Sequence, residues 1–270
     1  MINNKTSYTK MFCFYFCILL SFSLFASEPD LDESESSLSY SALIATLSIG
    51  PAWEHEGNTQ TFYLTDTIQK TYEAVNNTHG FLTGELFLGL QRRLHNALQG
   101  QLGIAIATTG NAVLTGNIWD DADPEFNNYT YKYSVTHSHV AIKGELLLDD
   151  GYMVIPWISG SAGIGMNKAS NFENSPVIVE AISNTNFSSN TNNAFVYTIG
   201  AGVKTSLSTH WQLGIGYEFA DWGKSQLGRA LGQTLGSGLA LDHLYTNSIL
   251  LSLTYRGFSH SNDDWGCIMI

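Results

Sequence analysis

Residues 135–151 have the sequence VTHSHVAIKGELLLDDG, in which polar and apolar side chains alternate. Successive side chains of a β-strand point to opposite faces, so this alternation predicts a strand with one polar and one apolar face. The apolar positions are Val140, Ile142, Leu146 and Leu148, and the polar positions are His137, His139, Lys143 and Glu145. Asp150-Gly151 then predicts a tight turn, because glycine accepts the positive φ that hairpin turns require.

Seven other segments alternate in the same way, and the connections between them are long and short in turn. The eight predicted strands are residues 40–53, 79–93, 98–108, 135–148, 152–167, 194–207, 210–222 and 244–256. The long connections are polar and have 20 to 26 residues each. This rhythm is typical of membrane barrels. We predict an all-β, eight-stranded antiparallel up-and-down transmembrane β-barrel over residues 40–256, with four long outer loops and three short periplasmic turns.

The two ends of the chain differ in composition from the barrel. Residues 1–26 contain two lysines and a 15-residue apolar run, Met11–Phe25. This pattern predicts a signal peptide for export, because the run is shorter than the roughly 20 residues of a spanning helix. An uncleaved anchor is the alternative. Residues 27–39 form an acidic, serine-rich leader, and residues 257–270 form a polar tail.

The acidic balance of the chain bears on its partners. Residues 27–270 contain 10 basic and 24 acidic residues. A surface with this excess of negative charge repels nucleic acid. Cys267 is the single cysteine of that part, so it forms no intramolecular disulfide. We expect outer-membrane lipid, the barrel-assembly machinery during biogenesis, and a host or surface ligand at the long loops as partners, and no cofactor.

Aromatic residues lie near the ends of the predicted strands. They are Tyr40, Trp53, Tyr152, Trp211, Trp222, Tyr245 and Tyr255. Such positions are typical of the aromatic girdles at the two membrane interfaces. The alternative is the general preference of aromatic residues for strands.

The polar faces of the predicted strands carry charges that would point into the lumen. They are Glu85, Arg93, Lys143, Glu145, Lys204, Glu218 and Arg256. An eight-stranded barrel is just wide enough for side chains to fill it, and unpaired buried charges are costly. We therefore predict a charge-paired, largely plugged lumen. A narrow porin or a channel for small apolar molecules is the alternative.

The segment His137-Ser138-His139 raises the questions of metal binding and catalysis. Two ligands seldom suffice for a metal, so we interpret His137 and His139 as a polar pair in the lumen or at its mouth. Ser138 would point to the opposite face, and Glu145 would lie about 20 Å from His139 along the strand. We predict neither a metal site nor catalytic residues, and an outer-membrane lipid-modifying enzyme is the weakest alternative.

Four segments carry a resemblance to a known family. They are PWISGSAGIG at 156–165, GAGVK at 200–204, GYEF at 216–219 and LSLTYR at 251–256. With its hairpin rhythm, the chain resembles the eight-stranded outer-membrane barrels that include the OmpA transmembrane domain, OmpX and opacity-type surface proteins. The resemblance implies a bacterial outer-membrane protein that acts through its surface loops in adhesion, host or environmental contact, or envelope integrity. The tail after Arg256 departs from the family, whose chains usually end with the last strand.

Overall fold

The structure is a computed structural model that describes residues 41–55, 57–75, 79–179 and 184–257. The predicted signal peptide, the acidic leader and the tail beyond Gly257 lie outside the described residues. In the part of the chain described, no helix is long and apolar enough to cross a membrane.

The described residues form strands joined by turns and loops. The strands are β1 (Ser41–Glu54), β2 (Gln60–Tyr63), β3 (Gln69–Ala74), β4 (Gly80–His95), β5 (Leu98–Thr109), β6 (Ala112–Asp120), β7 (Asn127–Leu148), β8 (Ile155–Pro176), β9 (Asn190–Ser206), β10 (Trp211–Asp221), β11 (Ser225–Gln226), β12 (Ala240–Leu241) and β13 (Tyr245–Arg256). A single turn of 3₁₀-helix, Pro124–Phe126, precedes β7.

Eight of these strands close into a ring in the order β1, β4, β5, β7, β8, β9, β10 and β13, with every neighbouring pair antiparallel. The ring closes where β13 pairs with β1, for example at Leu47 and Leu253. Short connections follow β4, β7 and β9, and Gly151 in the second of them has φ +78°. The predicted eight-stranded barrel is confirmed.

The side chains of the ring alternate as the sequence predicts. On β7, Ile142 and Leu146 are exposed on the outer surface of the barrel, whereas Lys143 and Glu145 are buried inside it. On β1, Leu47 is likewise exposed on the outer surface. The barrel therefore presents a hydrocarbon-like exterior around a polar interior, as a lipid environment requires.

The long connections differ from the polar loops that we expected. β7 begins eight residues before its predicted start, and β8 extends nine residues beyond its predicted end. The outer half of β7 pairs with β6, β6 pairs with β3, and β3 pairs with β2. The first two connections thus extend the sheet beyond the ring, and the fourth contains the short β11–β12 hairpin. We use the name cap for the described residues of the four long connections, including the outer parts of β7 and β8 that extend beyond the ring.

The cap contains a hydrophobic core of its own, to which all four long connections contribute. Its aromatic members are Tyr72, Phe81, Tyr129, Tyr131, Tyr133, Phe172, Phe187 and Trp222. Phe172 contacts Phe187 at 4.8 Å and Tyr131 at 5.8 Å between ring centroids. Burial raises the pKa of the Tyr131 and Tyr133 phenols well above the ordinary value, so both hydroxyls stay neutral.

Candidate functional site

Charged side chains cross the lumen midway along the barrel. Lys143 on β7 donates hydrogen bonds to Glu85 on β4 at 2.5 Å and to Glu218 on β10 at 3.3 Å. Lys204 on β9 pairs with Glu145 on β7 and lies 5.5 Å from the Trp157 ring centroid. These pairs connect strands that are not neighbours in the ring, so they bridge the interior.

Five of the seven predicted lumen charges thus meet in one cluster, and the two arginines lie elsewhere. Arg93 is exposed at the end of the barrel that carries the short turns. Arg256 is half-buried at the same end, where its guanidinium donates to the Thr209 carbonyl at 3.2 Å. The alternation assigns both to the inward face, but they lie at strand ends where water is within reach.

A layer of glutamines lies between the charge cluster and the short turns. Gln101 donates to Gln91 at 3.0 Å, Gln91 donates to Gln99, and Gln99 donates to Asp149 at 2.9 Å. These three glutamines occupy inward positions of β4 and β5 and are buried. The alternation of the sequence contains the signal for this layer, although none of its members is among the predicted site residues.

The charge cluster encloses a small cavity. Its volume is about 20 Å³, which is enough for one water molecule. Its wall includes Glu85, Trp157 and Ser252, each of which has one buried polar atom without a hydrogen-bond partner among the described residues. A single water could satisfy such atoms, and a solute larger than water does not fit.

Between the charge cluster and the cap lies a histidine pair. His137 Nδ1 is 2.6 Å from Asn167 Oδ1, and His137 Nε2 is 2.8 Å from His139 Nδ1. The His137 ring stacks on Trp222 with a centroid distance of 4.5 Å and an interplanar angle of 3°. Asn167 also donates to the Trp222 and Lys224 carbonyls at 2.7 and 2.9 Å. The histidines therefore join the barrel wall to the fourth long connection.

The hydrogen-bond network assigns the tautomers of the two rings. Because the Asn167 amide nitrogen donates twice, its oxygen accepts, and His137 Nδ1 must carry the proton. His137 Nε2 then accepts from His139 Nδ1. The remaining lone pair, on His139 Nε2, has no partner among the described residues. The chain of donors thus runs from His139 outward to the cap.

The geometry around the histidines bears on metal binding and on catalysis. Among the described residues, no group of three or more His, Cys, Asp or Glu side chains is arranged to hold a metal ion. Ser138 points outward, as predicted, and its hydroxyl lies 3.0 Å from that of Thr108. The inward pair His137 and His139 and the outward Ser138 therefore lie on opposite faces of β7.

Comparison with solved structures finds distant likenesses to outer-membrane proteins. Neisserial surface protein A is 8% identical with a TM-score of 0.39, and the match covers 79% of this chain and 96% of that chain. The outer membrane protein OprG from Pseudomonas aeruginosa is 10% identical with a TM-score of 0.40, covering 83% and 99%. The outer membrane protease OmpT from Escherichia coli is 8% identical with a TM-score of 0.47, covering 80% and 96%. No family model and no curated protein sequence matches the chain.

The fold is a closed, eight-stranded antiparallel β-barrel. Its strand pairing establishes this independently of the likenesses above. The similar structures include a surface protein and a protease, so these likenesses do not decide between a binding protein and an enzyme.

The predicted aromatic girdles are only partly present. Trp53, Trp211, Tyr245 and Tyr255 point outward, as predicted. Trp222 instead points inward and is 3% exposed against His137. Tyr152 lies in the turn between β7 and β8, and Tyr40 lies outside the described residues. All four outward residues belong to one half of the ring, which consists of β9, β10, β13 and β1.

Asn167 and Trp222 are the central site residues that the sequence did not predict. Asn167 is fully buried, but in the sequence it ends a predicted strand as an ordinary polar residue. Its role depends on the backbone of residues 222–224, more than 50 positions away, and no local pattern encodes that contact.

Proposed function

We propose that the protein is a bacterial outer-membrane barrel that conducts little or nothing and uses its cap for surface contact. The cap would serve adhesion, host or environmental contact, or envelope integrity. The observation that carries this proposal is the set of ion pairs that bridge the lumen from β7 to β4, β9 and β10.

The outer surface of the ring supports the membrane location. On β10, the outward side chains from Trp211 to Phe219 span about 27 Å along the strand, or about 20 Å along the axis of a typically tilted barrel. This height is comparable with the roughly 25 Å apolar band of outer-membrane barrels. Export by a signal peptide and insertion by the barrel-assembly machinery are parts of the same proposal.

Four layers of packed side chains inside the barrel and the cap support a closed lumen. A solute would have to pass the glutamine layer, the charge cluster, the His137–Asn167 layer and the aromatic core of the cap. The cavity in the charge cluster holds no more than about one water molecule. Separating a buried ion pair to make room is costly, because each charge would lose its partner.

The surface of the cap supports a role in contact with ligands. Val179, three residues beyond the outer end of β8, is 99% exposed, and Val177 and Leu231 are also exposed. Exposed apolar side chains on a folded, acidic surface are suited to a macromolecular partner. We propose a host or surface ligand as that partner and outer-membrane lipid around the ring, with no nucleic acid, no cofactor and no enzymatic reaction.

Planar-bilayer conductance of the refolded protein, with residues 1–26 removed, tests the closure. We expect no discrete conductance steps in the wild type, in Glu85→Gln or in the surface control Lys132→Gln. Lys143→Gln removes the hub of the charge cluster, so brief openings in this variant alone would identify the cluster as the barrier. Steady steps in the wild type that change with either lumen substitution would overturn the proposal and favour a narrow channel.

A further inference from the structure

The outer surface of the barrel carries a second polar cluster, on the strand ends of β10 and β13 next to the cap. We call it the outer patch. It consists of His55, Phe219, Asp221, His243, Tyr245 and Asn247. None of these residues belongs to the predicted site, and the closure of the lumen does not use them.

Aromatic rings form a continuous shelf in the outer patch. Phe219 stacks on Tyr245 with a centroid distance of 5.7 Å and an interplanar angle of 27°. Tyr245 stacks in turn on the imidazole of His243 at 5.5 Å and 2°. The three rings thus form one aromatic stack on the outside of the barrel, in which Phe219 and Tyr245 are half-buried and His243 is exposed.

A buried carboxylate orients the first imidazole of the patch. His243 Nδ1 is 2.8 Å from Asp221 Oδ2, and the other Asp221 oxygen accepts from the Gly223 amide at 2.8 Å. The His243 side chain is 57% exposed, whereas that of Asp221 is 4% exposed. Since Asp221 accepts the proton on Nδ1, a neutral His243 presents Nε2 outward as a hydrogen-bond acceptor.

A buried amide orients the second imidazole. The Tyr217 hydroxyl donates to Asn247 Oδ1, and Asn247 Nδ2 lies 3.2 Å from His55 Nδ1. The amide nitrogen donates, so His55 Nδ1 accepts and its Nε2 carries the proton. His55 is exposed, and its backbone amide donates to the Tyr245 carbonyl at 2.9 Å. The two histidines therefore offer one donor and one acceptor next to Tyr245, His243 through its stack on the Tyr245 ring and His55 through the backbone bond to the Tyr245 carbonyl.

We propose that the outer patch binds the sugar headgroup of a glycolipid in the outer leaflet, an inference that rests on the membrane location proposed above. The carbon–hydrogen face of a pyranose ring is apolar and packs on aromatic rings. Its hydroxyls both donate and accept, which matches His55 and His243. A phosphate only accepts hydrogen bonds, so beside a neutral His243 it matches the His55 donor alone.

The position of the patch agrees with this ligand. It lies at the cap end of the lipid-facing strands, at the level where headgroups meet the barrel, and aromatic side chains are favoured there. The opposite half of the ring carries outward Ser138, Met166 and Lys168 at this level. The patch is thus specific to one side and is not a uniform girdle.

A matched control lies at the other end of the same strands. His210 stacks on Tyr255 at 6.1 Å and 17°, and Trp211 packs against Tyr255 at 5.1 Å. This cluster has the same histidine–tyrosine stack, but it faces the opposite leaflet, where we expect phospholipid. Substitution of His210 therefore changes a similar stack without touching the outer patch.

The experiment refolds the chain without residues 1–26 in detergent with equal amounts of deep-rough lipopolysaccharide and phosphatidylglycerol. Native mass spectrometry then measures the ratio of the two lipids that each variant retains. We expect His243→Ala, His55→Ala and Tyr245→Ala each to lower the share of lipopolysaccharide by up to about tenfold, the effect of one lost hydrogen bond or stacking contact. Tyr245→Phe and His210→Ala should resemble the wild type.

Two outcomes overturn the inference. The first is an unchanged lipid ratio in both His243→Ala and His55→Ala, and the second is an equal loss in His210→Ala. Flotation of every variant with lipid vesicles separates this inference from the proposed location. A wild type that does not float overturns both proposals, whereas variants that all float with unchanged ratios overturn only the sugar site.

Discussion

The two halves of β7 have the same alternation with opposite phase. In the half that forms the ring, outward Ile142 and Leu146 are apolar and inward Lys143 and Glu145 are polar. In the half that forms the cap, the inward residues Tyr129, Tyr131, Tyr133 and Val135 are apolar and buried. Their outward neighbours Thr130 and Lys132 are polar and exposed.

The phase reverses between Val135 and Val140, and this reversal identifies the boundary between two solvents. Below it, hydrocarbon outside the barrel favours apolar outward side chains, and the interior collects hydrogen-bonded polar groups. Above it, water outside favours polar outward side chains, and burial of apolar surface stabilises the interior. One strand therefore follows two rules, and substitutions should have different effects on either side of the boundary.

The largest effect is expected for Lys143→Gln, which leaves Glu85 and Glu218 buried without their cation. Removal of one partner of a buried ion pair typically costs about 3–5 kcal/mol. Urea unfolding in lipid vesicles should therefore shift strongly. Lys132→Gln removes the 3.0 Å pair with Glu173, whose side chains are both 61% exposed, and should cost no more than about 1 kcal/mol. Equal shifts would contradict the distinction between the two halves.

Phe172→Ala is expected to loosen the cap while the ring stays closed. The ring of Phe172 contacts Tyr72, Tyr131, Tyr133 and Phe187, and its removal from a packed core typically costs about 3–5 kcal/mol. Limited proteolysis should cut the long connections faster than in the wild type. The heat-dependent gel mobility of the folded barrel should be unchanged, and its loss would mean that cap and ring unfold as one unit.

Comparison of Ile142→Arg with Thr130→Arg tests where the membrane boundary lies on β7, because both side chains point outward from the same strand. Ile142 is outward in the ring, where an arginine near the bilayer midplane costs about 2–4 kcal/mol. Thr130 is outward in the cap, where an exposed substitution usually changes stability by less than about 0.5 kcal/mol. Unfolding in vesicles measures both. A similar cost for the two variants would shift the membrane boundary away from residues 135–140.

Asn167→Ala tests the junction between the halves, and apart from the surface controls Lys132→Gln and Thr130→Arg it should have the smallest effect. It removes a partner from His137 and from the Trp222 and Lys224 carbonyls, at about 1–3 kcal/mol for groups left buried and unbonded. Hydrogen exchange should accelerate in residues 221–228 and not in the paired core of β5. Uniform acceleration across the barrel would show that Asn167 stabilises the whole ring.

The ring could be predicted from sequence because lipid and lumen impose one phase on every strand. Leu47, Ile142 and Leu251 all follow it. The folded cap could not be predicted in this way, because the apolar residues Tyr129, Tyr131 and Tyr133 point inward. The rule that apolar residues of a membrane strand point outward therefore does not recognise this segment as part of the strand. The ion pair of Lys143 could be predicted from its charge and its inward face. The girdle position predicted for Trp222 is wrong, because Trp222 starts a long connection and turns inward onto His137, and no local pattern encodes that contact.

The β7–β8 hairpin has a mechanical consequence. Its two 22-residue strands pair from Tyr129 and Pro176 in the cap to Leu147 and Trp157 near the short turn. A tensile force on an adhering cap would run parallel to these strands and reach the ring as shear. In that direction, many hydrogen bonds resist together instead of opening one after another. The hairpin would therefore anchor the surface contact against flow or cell movement.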